Sequence, residues 1–297
     1  MSLRFAYNTN GAANHRLDDA LRLIKGAGYD GVALTLDIHH LDPFAADWAA
    51  EAGRVSSLLE SLELGSVIET GARFLLDPTA KHEPTLVTAD AAGRARRVGF
   101  LKRAIEIGKI LNAEAVSFWA GVPKPGVDRG EARGWLVEGL REVADFAAEK
   151  GVVAALEPEP GMLIETLDDF AGLDVPGLSL ALDTGHCLVT GERDPAAAVH
   201  EFASRLGTVA IEDMKRGEHI HLPFGEGDMD VPAVLDALDA IGFRKLVCVE
   251  LSRDSHRADL MVGQALDFLR TCRRSGPGLP APETALREIT VPGLPNP

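Results

Sequence analysis

Cysteine is scarce in this chain. Cys187, Cys248 and Cys272 are the only three in 297 residues, and they stand far apart with no CxxC pair. That excludes a disulfide framework and a thiolate metal knuckle. Cys248 lies inside an apolar run, where a thiol acts as a small buried hydrophobe. Long apolar stretches are missing too. None approaches the ~18 residues of a membrane span, and no charged-then-apolar leader opens the chain, so the cytoplasm is the expected location. Positive charge is in short supply, with 30 basic against 45 acidic residues and a net charge of −15. Neither nucleic acid nor an anionic membrane is therefore expected as a partner. Finally, no glycine-rich phosphate turn follows the first strand-like run, which argues against a dinucleotide-binding open sheet.

What the chain does have is a regular alternation. Apolar residues make up 46% of it, ample for a full core. Strand-like runs at 4–8, 31–37, 64–69, 115–118, 152–157, 178–183, 208–212 and 246–250 alternate with helical patterns. Those patterns fall at 17–27, 45–62, 91–111, 131–150, 167–170, 195–205, 231–241 and 258–272. Eight strand-plus-helix units close most simply as a single-domain α/β structure, a parallel (β/α)8 barrel of roughly 250 residues. The barrel is assigned to 1–273 and a Pro/Gly-rich tail to 274–297. Tail and open barrel top leave a homo-oligomer possible. Residues 70–90 form a polar stretch too long for an ordinary connection and read as a functional loop. The charged face of 94–103 reads as the solvent side of a helix.

Residues 178–188, LSLALDTGHCL, are the organising stretch. An apolar run buried on both faces ends in Asp183, Gly185 and His186, and a carboxylate or imidazole belongs there only if paired or bound to a metal. Three other runs end alike: VVAALEPEP in Glu157 and Glu159, GTVAIEDM in Glu212 and Asp213, KLVCVELS in Glu250. In such a barrel, catalytic groups come from the C-terminal ends of several strands. Two unit charges about 4 Å apart repel by about 4 kcal/mol at an effective dielectric of 20, a cost a cation removes. Oxygen-rich ligation with one or two imidazoles suits one divalent metal, Mn²⁺ or Mg²⁺ first and Zn²⁺ also. Carboxylates beside such a metal can move a proton to and from carbon.

The pieces LEP (156–158), LDTGH (182–186), HLPFGEGDMD (221–230) and VEL (249–251), in this order and spacing, resemble the xylose-isomerase-like barrel superfamily. It spans sugar and sugar-phosphate isomerases, epimerases, inosose dehydratases and endonuclease IV. The resemblance implies metal binding by Glu157, Asp183 and Glu250, with the two glutamates exchanging protons with a small carbohydrate-like substrate. It implies a substrate contact for His186. His219 and His221 stand where the nuclease branch binds a further zinc. Trp119 and Glu69 replace histidines that the nuclease branch needs, which makes DNA repair unexpected and suggests Trp119 and Glu69 as substrate contacts. The family's strand-seven histidine is here Ala210. Glu212, two residues on and on the same side of the strand, is the first substitute ligand, and His221 the second. The implied function is metal-dependent isomerisation or epimerisation of a sugar or hydroxy-carbonyl compound. A dehydratase on the same site, a multi-metal phosphodiesterase and a non-catalytic remnant are the alternatives.

Plainer readings stand beside these. Asp183 is also a good helix N-cap, and Trp119 a plain barrel-top core residue. His39 and His40 read as solvent-facing, and His15, His82, His200 and His256 as surface. Arg73, Lys81, Lys215 and Arg216 read either as solvated loop cations or as anchors for an anionic substrate group. The GEG at 225–227 reads as a tight turn.

Overall fold

The computed structural model describes residues 3–275 except Ala72. The tail expected at 274–297 lies, from residue 276 on, outside the described residues. The strands are β1 (Arg4–Asn8), β2 (Gly31–Thr35), β3 (Gly65–Glu69), β4 (Val116–Trp119), β5 (Ala154–Glu157), β6 (Ser179–Asp183), β7 (Leu206–Ile211), β8 (Asp213–Lys215), β9 (Glu218–Leu222) and β10 (Leu246–Val249). Eight of them close into an all-parallel barrel in the order β1-β10-β7-β6-β5-β4-β3-β2, while β8 and β9 form a separate antiparallel hairpin. The helices are α1 (Leu17–Ala27), α2 (Trp48–Ser61), α3 (Ala91–Ile110), α4 (Arg129–Lys150), α5 (Leu167–Ala171), α6 (Thr184–Thr190), α7 (Pro195–Glu201), α8 (Val231–Ala240) and α9 (Ala258–Ser275).

Local chemistry explains these boundaries. Asp90, Asp128, Asp194 and Asp230 each accept a backbone N–H of the first turn of α3, α4, α7 and α8, and proline occupies the opening turn of the last two. These carboxylates satisfy N–H groups that a helix start leaves orphaned. Gly151 ends α4 with φ 68°, a conformation that costs side-chain-bearing residues energy. Strands β2, β4 and β10 are buried along their whole length, because helices cover the outside and side chains fill the inside. The interior filling is small: Ala6, Ala33, Val67, Ala115, Leu246 and Cys248. Parallel register puts all eight C-terminal ends at one rim, with Trp119 opposite Glu157 and Asp183 opposite Ala210.

Several expectations are corrected. The helix expected at 195–205 stops at Glu201, and a 3-10 turn at Ala203–Arg205 leads into β7. A helix not among those expected, α6, starts directly after Asp183, which caps it as its residue type allows, in a segment too short to show helical periodicity. The HxH segment is a strand of the hairpin, not a loop. Arg97 is fully buried on a face of α3 expected to meet solvent, because its guanidinium stacks 4.3 Å over the Trp119 ring. His40 is buried too. Its Nε2 donates to the His15 carbonyl at 3.2 Å, and burial pushes its pKa down to about 4. His15 is half-buried rather than exposed.

Gly121, just after β4, has φ 103°, and a Cβ there would overlap the Thr85 side chain. Gly121→Ala is expected to destabilise the fold by about 2–4 kcal/mol, combining backbone strain with overpacking. Equilibrium denaturant unfolding measures this.

Candidate metal centre and active-site cleft

The barrel mouth holds a cleft of about 280 Å³ whose floor carries Glu69, Glu157, Glu159, Asp183 and Glu250. Each acid sits at or just beyond a strand end, so barrel closure alone brings them together. Asp183 does two jobs at once. Its Oδ1 accepts from the Gly185 and His186 backbone N–H groups at 2.8 and 3.1 Å, which starts α6. Its Oδ2 is buried and accepts no hydrogen bond from the backbone, with His186 Nε2 3.5 Å away. Capping and metal ligation are thus not alternatives here, because they use different oxygens.

Three overlapping groups of donor atoms converge: Asp183 with Glu212 and His221, Glu157 with Asp183 and His186, and Glu159 with His186 and His219. The first group is the most telling. Asp183 Oδ2, both Glu212 oxygens and His221 Nδ1 are four of ten buried side-chain N/O atoms with no hydrogen bond among the described residues to a group outside this cluster and His186, although a protonated Glu212 can donate to Asp183. Unsatisfied buried polar atoms are costly. Two carboxylates and an imidazole brought together in this state match the donor set of a divalent cation. The residues therefore fit a metal. Gly185 makes the arrangement possible: a Cβ there would overlap Glu212 Oε1 and lie 2.9 Å from Met214.

Glu212 follows β7 two residues after Ala210 and is fully buried. Its neighbour Asp213 is consumed by structure. The Asp213 carboxylate accepts the Gly225 and Met229 backbone N–H groups at 2.8 and 3.0 Å, and so holds the tight turn read from GEG. Glu250 and Glu69 line the cleft but belong to none of the three donor groups. Glu250 Oε1 accepts from Asn10 Nδ2 at 2.9 Å, and Glu69 Oε2 accepts from the Thr35 hydroxyl at 3.1 Å. Below the acids lies a cavity of about 30 Å³, lined in part by Ala33, Ala181, Ala210 and Cys248.

Crowding shapes protonation. Burial, then the charges of Glu159, Asp183, Glu250 and Glu69, holds Glu157 well above the usual carboxylate range. Burial and the Asp183 charge do the same to Glu212. Burial and Glu250 raise Glu69 to about 7, and burial raises Glu159 to about 7 against the pull of His186. Asp183 goes the other way: burial opposes its charge, but His186 and His221 outweigh it. His186 is raised, because Asp183, Glu159 and the Pro158 carbonyl overcome the effect of its burial. A carbonyl only accepts, so His186 Nδ1, 3.0 Å from Pro158 O, carries the proton and turns Nε2 toward the cleft. There Nε2 lies 3.1 Å from His219 Nε2. Burial and His186 push His219 down to about 4.

Trp119 forms a cleft wall at 5% exposure, with Arg97 stacked on it and the His82 ring edge-on at 5.2 Å. His82, expected at the surface, lines the cleft instead, delivered by the long loop after β3. Reading residues singly missed Asn10 and His82. Asn10 lies on a 3-10 turn with no periodic signal, and His82 in an aperiodic loop. Glu159 was legible as the same-side neighbour of Glu157.

Binding a cation must displace protons from Glu157, Glu159 and Glu212. Mn²⁺ affinity is therefore expected to rise at least about tenfold from about pH 5.5 to 7.5, with protons released on binding. Calorimetry in buffers of different ionisation enthalpy reads both. Gly185→Ala, by displacing Glu212, is expected to weaken Mn²⁺ binding at least about tenfold with the far-ultraviolet circular dichroism unchanged.

The chain is 24% identical over 230 residues to L-ribulose-5-phosphate 3-epimerase UlaE of Shigella flexneri serotype 5b, covering 76% of this chain and 78% of that protein. It is 27% identical over 271 residues to L-ribulose 3-epimerase of Methylomonas sp. strain DH-1, covering 82% and 87%. The crystal structure of D-allulose 3-epimerase from Methylomonas sp. superposes with a TM-score of 0.69 at 22% identity, covering 91% of this chain and 98% of that one. The profile of one family matches residues 21–272, nearly the whole barrel, and on that match the chain belongs to the xylose isomerase-like TIM barrel family.

Proposed function

We propose that this protein is a divalent-metal-dependent epimerase or isomerase of a small sugar or hydroxy-ketone. The carrying observation is the convergence of Asp183, Glu212 and His221 donor atoms, with Asp183 and His221 lining an acid-lined cleft and Glu212 fully buried behind Asp183. Its curated relatives include enzymes named as ribulose and ribulose-5-phosphate 3-epimerases.

Asp183, Glu212 and His221 would hold the cation, with Glu157 and Glu250 lining the same space. A divalent cation there supplies polarisation of a carbonyl oxygen, which acidifies the neighbouring carbon. Mn²⁺ or Mg²⁺ suits the mainly oxygen donor set best. Inverting a carbon centre requires one carboxyl to take a proton from one face and another to return one to the opposite face. Glu157 and Glu250 fill these roles. Burial lets Glu157 keep a proton that an exposed glutamate would lose, and Asn10 orients Glu250 by its 2.9 Å hydrogen bond. His186, fixed by the Pro158 carbonyl, offers Nε2 to a substrate hydroxyl or to the cation. Trp119 supplies an apolar wall for the sugar carbons and Glu69 an acceptor for a hydroxyl.

A second reading, multi-metal hydrolysis of a phosphodiester, is favoured by the additional Glu159, His186 and His219 group. Metal analysis by mass spectrometry separates the two: one cation per chain supports epimerisation, and two or more support hydrolysis. Glu157→Gln and Glu250→Gln are each expected to lower kcat about 10²–10⁴-fold. Turnover of L-ribulose and L-ribulose 5-phosphate in D₂O, followed by NMR, should place deuterium at the inverted carbon. Full turnover by both variants would sink the assignment.

A further inference from the structure

The acids form the floor of the cleft, and its outer rim has the opposite sign. Arg73 and Lys81, from the loop after β3, and Arg253, after β10, all line the mouth. In a chain with 45 acids to 30 bases, several cations are paired with acids. Arg54 takes Asp18 and Glu51, and Arg193 takes Asp168 and Glu201. Among the described residues, Arg73, Lys81 and Arg253 form no ion pair and no side-chain hydrogen bond. All three are solvent-exposed, so their donors are available at the opening.

A fourth cation stands behind them. Arg97 is fully buried against the back of Trp119, donates only to the Thr70 carbonyl at 3.4 Å, and keeps Nε and Nη1 without a partner. Three of these charges act on one ring. Beyond the effect of its burial, His82 is held below its ordinary pKa by Lys81, Arg97 and Arg73. The cleft is therefore polarised, with carboxylates where a cation and the reacting carbon belong and unpaired guanidinium and ammonium groups at the exit.

We propose that Arg73, Lys81 and Arg253 recognise a terminal oxyanion, so that the substrate is a phosphorylated ketose whose phosphate sits at the rim while its carbonyl end meets the acids. Guanidinium and ammonium donors bind phosphate oxygens with charge-assisted hydrogen bonds, and a neutral sugar offers such groups nothing comparable. This rests on the epimerase reading for the carbonyl end. The phosphate contact is testable without it.

The test uses the full chain loaded with Mn²⁺ and inorganic phosphate as the probe, by calorimetry. Phosphate affinity is expected to fall at least about tenfold in Lys81→Ala/Arg253→Ala and in Arg73→Ala, with a shallower salt dependence. Mn²⁺ binding by each variant serves as the folding control. Phosphate affinity unchanged in all variants means phosphate meets only the metal, and overturns the proposal. In a second arm, kcat/KM for L-ribulose 5-phosphate over that for L-ribulose should exceed about tenfold in the wild type and collapse toward one in the double variant. A wild-type ratio near one also overturns it, while epimerisation itself stands. Rim-dependent phosphate binding with no turnover of either sugar supports the rim and removes the epimerase reading instead.

Discussion

Repulsion between buried carboxylates governs this molecule. Five acids line one cleft, and Glu212 stands fully buried beside Asp183. Like charges this close in a poorly solvated mouth cannot all stay ionised. The protein relieves the conflict in part with its own groups. Asp183 keeps its charge through two backbone N–H groups and nearby imidazoles, whereas Glu157 and Glu212 are driven toward the neutral form. A bound divalent cation would relieve the rest, and in doing so would change which acids hold protons. Metal occupancy and proton inventory are thus one linked property.

The barrel frame makes this concentration of charge tolerable. Eight parallel strands end at one rim, so backbone hydrogen bonding rather than side-chain attraction brings the acids together. Helices outside and small side chains inside fix the rim from below. The site is preorganised in that folding free energy, distributed over the whole core, holds the donors against their mutual repulsion.

Much of this was legible beforehand because it is periodic. Apolar runs ending in Glu69, Glu157, Asp183 and Glu250 announce both strand and mouth, since parallel topology gives every strand end the same address. What stayed hidden is aperiodic. Helix α6 is only seven residues long and follows a strand directly, and its start is set by an oxygen of Asp183 rather than by a pattern. Arg97 sits in a run of charged residues and is buried because Trp119 offers its face, a tertiary fact no helical spacing encodes. Glu212 was reachable only through the two-residue period of β7, which puts it on the side of Ala210. Glu212 is indeed buried beside Asp183, since strand geometry continues briefly beyond the last paired residue.

The hairpin β8–β9 carries His219 and His221, yet none of its residues from Glu218 to Leu222 is fully buried. Its base is held largely through main-chain groups: Asp213 accepts the Gly225 and Met229 amides of the following loop, Asp228 accepts the Arg216 amide, and the Gly217 amide donates to the Leu188 carbonyl of α6. Main-chain amides are the same whatever side chain they bear. The imidazoles therefore inherit their coordinates from a tether indifferent to the hairpin's outward-facing sequence. That outer surface is free to drift, or to be redesigned, while the nitrogens it delivers keep their position over the acids.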